Sequence, residues 1–331
     1  MFGLELSFIW AGIIALAVLI YVILDGFDLG VGLLFPVTKD EGERNVMMNS
    51  VAPIWDGNET WLVFGGAALY GAFPLAFSTI LPILYLPLLI MVIALLFRGV
   101  AFEFRMKAHK SKAFWDGCFF MGSLVATFIQ GVMLGSFIIG YRLGAGVAFY
   151  QWLSPFSIVC GLALIFGYSL LGSNRLIVKT TGDLQQRFYR ISEKLQYVIL
   201  IFAVAVSIWS PYLDHAIYSR WYDLNLMPFL AILPIVTILV FSLHVYAIKK
   251  RWEKTPFFSL VTIFLLCYVG FIVSTYPFIV PRHITFTQAA APHTTLIFML
   301  VGACIMLPLL LLYTIYSYYI FRGKITKPLS Y

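Results

Sequence analysis

The chain is predicted to be an all-α polytopic membrane protein with nine transmembrane helices, on three observations. Of its 331 residues, 61% are hydrophobic and 11% charged, whereas soluble domains carry about 25% charged residues. Apolar stretches of the roughly 20 residues needed to cross a hydrocarbon core recur from end to end. The basic residues concentrate in alternate gaps between those stretches, as they do in loops retained on the cytoplasmic side.

The first span, residues 7 to 34, has no basic region before it. It runs into Asp25-Gly-Phe-Asp28 without a small-residue cleavage pattern, so it reads as a retained helix and not as a signal peptide. Spans at 54 to 78 and 80 to 102 share one apolar run too long for a single crossing, which is expected to fold back at a tight turn near Ser78 to Pro82. The remaining spans are 114 to 141, 156 to 177, 194 to 212, 225 to 248, 256 to 280 and 292 to 321.

With nine spans, one side receives Lys39 and Arg44, the five cations from Arg98 to Lys112, the five from Arg175 to Lys194, the four from Lys249 to Lys254, and Arg322, Lys324 and Lys327. These make nineteen of the 22 basic residues, leaving only Arg142, Arg220 and Arg282 for the other side. The asymmetry predicts an N-terminus outside, a cytoplasmic C-terminus and an odd number of spans in one membrane domain, 1–331. A Trp-Asp-Gly triplet at 55–57 and again at 115–117 is a weak sign of internal duplication.

Composition also narrows function. The formal charge of +7 forms no continuous basic stripe, so nucleic acid is not an expected partner and membrane lipid is. Cys118, Cys160, Cys267 and Cys304 lie in apolar runs without Cys-x-x-Cys spacing, which argues against disulfides and a thiolate metal site. Of the five histidines, His109 falls in a cytoplasmic loop and His215, His283 and His293 near the outer surface. Only His244 is within a span, where a hydrogen-bonded packing role is expected. No two histidines meet at the depth a bis-His haem requires, so this chain alone is expected to hold neither haem nor metal.

Ionisable groups at membrane depth are costly, by about 2.5 to 3.5 kcal/mol at the bilayer centre on insertion scales, so they are the best functional signal available. Asp25 and Asp28 share a face toward the cytoplasmic end of the first helix, and Asp56 and Glu59 share a face at the start of the second. These four are candidates for relaying protons from the cytoplasm. A bland alternative is that Asp56 and Glu59 sit at the positive end of a helix dipole and Asp25 at an interface. Asp28 lies at the unfavourable dipole end and is expected to be buried and paired, with Arg98 as candidate partner. Gly26, Gly30 and Gly32 beside it would admit another helix or a partner's backbone. Gln130, Tyr276, Pro277 and Pro281 are further candidates for lining a cavity, with ordinary packing as the alternative.

The blocks Asp25-Gly-Phe-Asp-Leu-Gly-Val-Gly32, Asn49-Ser-Val-Ala-Pro-Ile-Trp-Asp-Gly-Asn58 with Trp61, and Phe97-Arg98-Gly-Val-Ala-Phe-Glu103-Phe-Arg105 resemble the second subunit of cytochrome bd-type quinol oxidases. Tyr276 to Pro281 and Pro308 to Tyr313 continue the match in order and spacing. The resemblance implies two four-helix bundles, about 1–141 and 156–280, plus a ninth helix at 292–321. It also implies a heterodimer with a haem-bearing subunit I, which holds the b- and d-type haems and the quinol site and reduces oxygen to water. A small single-helix accessory subunit is a further partner the family allows. By the same resemblance this chain binds no catalytic haem, stabilises its partner and contributes to proton or oxygen access, with Asp28, Trp55 and Asp56 at family positions tied to a proton path or a structural quinone. Arg98 and Glu103 in the third block are supporting candidates. Where the family often carries an acid followed by small hydroxyl residues, this chain reads Gln288-Ala-Ala-Ala-Pro-His293, so no role passes to that position. A secondary transporter and a purely structural membrane subunit are the competing readings; the former expects matched interrupted helices near the midplane, and the conspicuous acids instead lie in one half.

Overall fold

The computed structural model describes residues 2–108, 110–144 and 150–325; His109 and Lys327 lie outside the described residues. Helix α1 (Phe2–Leu33) ends in a 3-10 turn, Phe35–Val37, and is followed by the short α2 (Glu41–Asn49) and by α3 (Trp55–Ala72). The long α4 (Pro74–Lys107), α5 (Lys112–Ile139), α6 (Pro155–Lys179) and α7 (Gly182–Leu213) come next. Two short helices, α8 (His215–Trp221) and α9 (Met227–Leu230), precede α10 (Ile232–Lys249) and α11 (Thr255–Thr275). A small antiparallel hairpin, β1 (Phe278–Val280) with β2 (Ile284–Thr285), then α12 (Phe286–Ala289) and α13 (His293–Ile320) complete the order.

Helices α1, α3, α4 and α5 pack on one another; α6, α7, α10 and α11 form a second set; α13 lies against α1 and α3. The two sets meet where α6 packs on α1 and α5. That crossing is close because glycine removes the side chains between the backbones. A Cβ on Gly30 would stand 1.9 Å from the Tyr168 carbonyl oxygen, and one on Gly172 would stand 2.4 Å from the Gly30 carbonyl carbon. Gly32 makes room in the same way for Ser123 of α5. The neighbours that the glycine row anticipated are therefore this chain's own α5 and α6.

Among the described residues, eight helices are long and apolar enough to cross a membrane. The segment at the second predicted span, α3, is not one of them: it has 18 residues, with Asp56, Asn58 and Glu59 in its first turns. The expected tight turn at Ser78 to Pro82 is corrected. The chain turns at Phe73 instead, and Pro74 opens α4, while Pro82 and Pro87 sit inside that helix. Proline is favoured at the first helical position, where its missing N–H has no partner to lose, and membrane helices tolerate interior proline. The eighth predicted span also ends early, at Thr275, because Pro277 and the hairpin follow.

The basic loops come together at one end. Lys112 pairs with Glu41, Arg187 with Glu43 at 2.6 Å, Arg44 with Asp116 at 2.6 Å, and Lys324 with Glu253 at 2.5 Å. The hydrogen bond from Lys112 holds the Glu41 carboxyl below its usual range, and that from Lys324 does the same for Glu253. At the opposite end Arg282 pairs with Asp214 at 2.5 Å, and His283 meets the Tyr141 carbonyl oxygen at 2.6 Å.

Candidate functional site

Toward the basic end of the bundle, α1, α3, α4, α6 and α13 bring ionisable side chains into one buried cluster. Asp25, Asp28 and Arg98 are fully buried. The planar guanidinium of Arg98 forks: Nη1 donates to Asp25 Oδ1 at 2.7 Å and Nη2 donates to Glu59. A fork of this kind is what distinguishes arginine from lysine at a two-acceptor site. Asp28 instead accepts from Asn58 Nδ2 at 2.7 Å, and Asn58 Oδ1 accepts from the Tyr318 hydroxyl at 3.1 Å. The expected Asp28–Arg98 pair is thus corrected. Arg98 reaches Asp25 and Glu59, one on each flanking helix, and Asn58 takes the place beside Asp28.

A second buried cation stands behind this line. The Arg175 guanidinium carbon lies 4.9 Å from the ring centre of Phe27, 5.4 Å from that of Tyr318 and 5.6 Å from that of Phe257. Aromatic faces are favourable surroundings for a desolvated cation. The cluster therefore holds three carboxyl groups against two guanidinium groups, and one added proton makes it neutral. Asp25 Oδ2 and Asp28 Oδ1 are buried without a hydrogen-bond partner among the described residues, so both are open to a proton or a water.

From the cluster a polar line continues toward the middle of the bundle. Gln130 Nε2 donates to the Tyr21 hydroxyl at 2.7 Å, and the Tyr168 hydroxyl donates to Gln130 Oε1 at 3.1 Å. Gln130 is thereby a packed bridge between α1 and α6, and Tyr168 is closed over by the Phe264 ring at 6.0 Å.

The remaining candidates lie apart. Asp56 is exposed on the outside of α3; it keeps the expected common face with Glu59, about 60° away at 100° per residue, but only Glu59 of the two reaches Arg98. The inward stripe of α3 is Asn58, Trp61, Gly65, Ala68 and Ala72; Glu59 lies between it and Asp56, which is about 160° from Asn58 at 100° per residue. Trp55 stacks on Phe102 at 5.0 Å. Glu103 is exposed and, among the described residues, pairs with Lys107 at 3.7 Å.

Asn58, Arg175 and Tyr318 were not singled out from the sequence. Arg175 counts with the cations of the basic side, although its position inside the 156–177 apolar span is a usable signal. Asn58 lies between the two acids Asp56 and Glu59.

His244 is buried with Nδ1 3.1 Å from both the Pro256 carbonyl oxygen and Ser259 Oγ, which is the packing role expected of it. His283 is engaged at the other end. Among the described residues no group of three His, Cys, Asp or Glu side chains converges to hold a metal.

The sequence matches the family described as cytochrome bd terminal oxidase subunit II over residues 6–321. It is similar to the cytochrome bd ubiquinol oxidase subunit 2 of Bacillus subtilis, at 29% identity over 98% of this chain and 98% of that protein. It is also similar to the cytochrome bd-I ubiquinol oxidase subunit 2 of Escherichia coli, at 28% identity over 97% and 96%. The fold resembles a chain of the bd oxidase from Geobacillus thermodenitrificans with a TM-score of 0.76, at 18% identity, covering 96% of this chain and 99% of that one.

Proposed function

The chain belongs to the cytochrome bd terminal oxidase subunit II family, and from that premise we propose that it is the haem-free subunit of a quinol:oxygen oxidoreductase, stabilising a haem-bearing subunit I and conducting protons to it from the cytoplasm. The observation that carries the reading is the set of buried Asp25 and Asp28 and partly buried Glu59 around Arg98, beside the ion-paired end that holds most of the cations. Intramembrane carboxyls of this kind are costly to keep and suit a proton route. With the N-terminus outside, that end faces the cytoplasm, so protons for water formation are drawn from inside while quinol releases its own outside.

Asp56 supports the partner assignment. A carboxyl exposed on a membrane helix is unfavourable against lipid, so the face formed by α3 and α13 is the one we assign to subunit I. Protons then pass from the Asp25–Glu59–Asp28 cluster to Asp56 and on to the neighbouring subunit. The haems belong to that partner, whose own residues supply their ligands; quinol is a substrate of the complex. Lipid covers the other faces, and a small single-helix accessory subunit remains compatible with the assembly.

The two ion pairs of Arg98 also suit a purely structural role, and the two readings separate on one experiment. In the assembled complex with haem content intact, Asp28→Asn is expected to lower quinol-driven oxygen consumption by at least about tenfold, a barrier rise of about 1.4 kcal/mol. Unchanged turnover would leave only the structural role. A Soret band from this chain expressed alone would overturn the haem-free assignment.

A further inference from the structure

Helices α4 and α5 run antiparallel and touch at Gly122, where a Cβ would stand 2.6 Å from the Ala94 carbonyl oxygen. Five residues nearer the basic end, Gly117 has nothing within 4 Å of its Cβ direction. A groove of about 560 Å³ runs along this seam, within the range of about 300–1,000 Å³ that holds small-molecule ligands. Ile90, Ile93 and Phe97 form one wall, and Ala113, Gly117 and Met121 begin the other, which reaches Val125. At 1.5 Å per residue that second wall is about 18 Å long.

We propose that this groove seats one acyl chain of an anionic phospholipid, from the leaflet at the basic end of the bundle. Among the described residues, no side chain lining the groove carries an oxygen or nitrogen atom, so a polar head placed inside it finds no side-chain partner, whereas a hydrocarbon tail needs none. A transmembrane helix, about 10–12 Å across with its side chains, is too wide to enter between two helices already in contact at Gly122. A flexible chain fits and restores the packing contacts that an empty groove forfeits.

The charge at the groove's mouth selects the head. Ala113 and Phe114 follow directly on Lys112, and the connection back to α4 carries Lys110 and Lys107. Arg44 and Arg105 both pair with Asp116, and Lys112 pairs with Glu41. Lys107 meets only the exposed Glu103, at 3.7 Å, and a solvated pair of that kind contributes little. Lys110 is exposed and has no ion pair among the described residues. Five cations against three acids leave two positive charges there, placed to receive a phosphate. Basic residues at a membrane surface favour anionic lipid in this way.

The test uses the assembled oxidase complex in phosphatidylcholine nanodiscs, doped with phosphatidylglycerol or phosphatidylcholine bearing a diazirine in its acyl chain. After illumination, mass spectrometry reads the label on residues 113–125. Phosphatidylglycerol is expected to label that segment about fivefold more than phosphatidylcholine at equal mole fraction, the gain from one lysine near the surface. Lys107→Gln combined with Lys110→Gln is expected to bring the two probes level. Gly117→Trp fills the groove and is expected to remove most of the label from both. Equal labelling by the two probes in the unaltered complex overturns the proposal. So does undiminished labelling in Gly117→Trp, which would mean lipid passing over the surface without being seated. Should Gly117→Trp fail to assemble, a density map of the unaltered complex in phosphatidylglycerol nanodiscs decides. A chain lying between Phe97 and Met121 with its phosphate beside Lys110 supports the site, and an empty groove, or one covered by protein, overturns it.

Discussion

Arg98 decides more of the site than any other single residue. Its side chain is fully buried and, among the described residues, is ion-paired with Asp25 and with the partly buried Glu59. Removing one partner of a buried ion pair costs about 3–5 kcal/mol, because the remaining charge is left without compensation. Arg98→Gln is therefore expected to destabilise the complex by about that amount, read as a lower temperature of thermal inactivation and reduced yield of assembled oxidase. Arg98→Lys keeps the charge but not the planar fork, so it is expected to fall between the two. An Arg98→Gln complex as heat-stable as the unaltered one would show that the pairs are not compensating buried charge.

Helix α1 shows the same logic one level up. In its last turns Gly26 and Gly30 face α6 and Gly32 faces α5, so the residues that carry charge and those that admit a neighbouring helix occupy the same two turns. Because the Gly30 position abuts α6 backbone, no rotamer change can relieve an added side chain. Gly30→Val is expected to separate α1 from α6, displace Asp28 from Asn58, and abolish assembly, checked by loss of the complex from detergent extracts. Gly117 of α5, which has nothing within 4 Å of its Cβ direction, supplies the contrast: Gly117→Ala is expected to leave assembly unchanged. Helix α4 makes a different point. Its start depends on Pro74 and not on Pro82, and the two prolines are eight residues apart in one apolar run. Local residue preference permits a helix to begin at either.

At the scale of the whole molecule, the ion pairs among Glu41, Glu43, Asp116, Glu253 and their basic partners gather at one end, and the pairs involving Asp214 and Arg282 at the other. Single cysteines placed at Asp183 and at Arg142 are expected to react with a membrane-impermeant thiol reagent from opposite sides, the first only after the cytoplasmic face is opened and the second in intact cells. Labelling of both from the same side would overturn the orientation, and with it the assignment of the Asp25 cluster to the cytoplasmic half.

Much of this was legible in the residues themselves. Membrane insertion follows from apolar length, and the gathering of the basic loops at one end follows from charge order along the chain; both are properties of local composition that any tertiary arrangement must respect. The pairing of Asp25 with Asp28 on one face follows from helical periodicity alone. What only the tertiary structure decided is which groups meet. Asn58 finds Asp28 from 30 residues away and Tyr318 finds Asn58 from 260 away, and Arg98 faces Asp25 and Glu59 because of how α1, α3 and α4 cross. Helix crossing is set by where glycines let backbones approach and by which side of each helix is already filled. Those conditions are shared between distant segments, so no single stretch of sequence carries them.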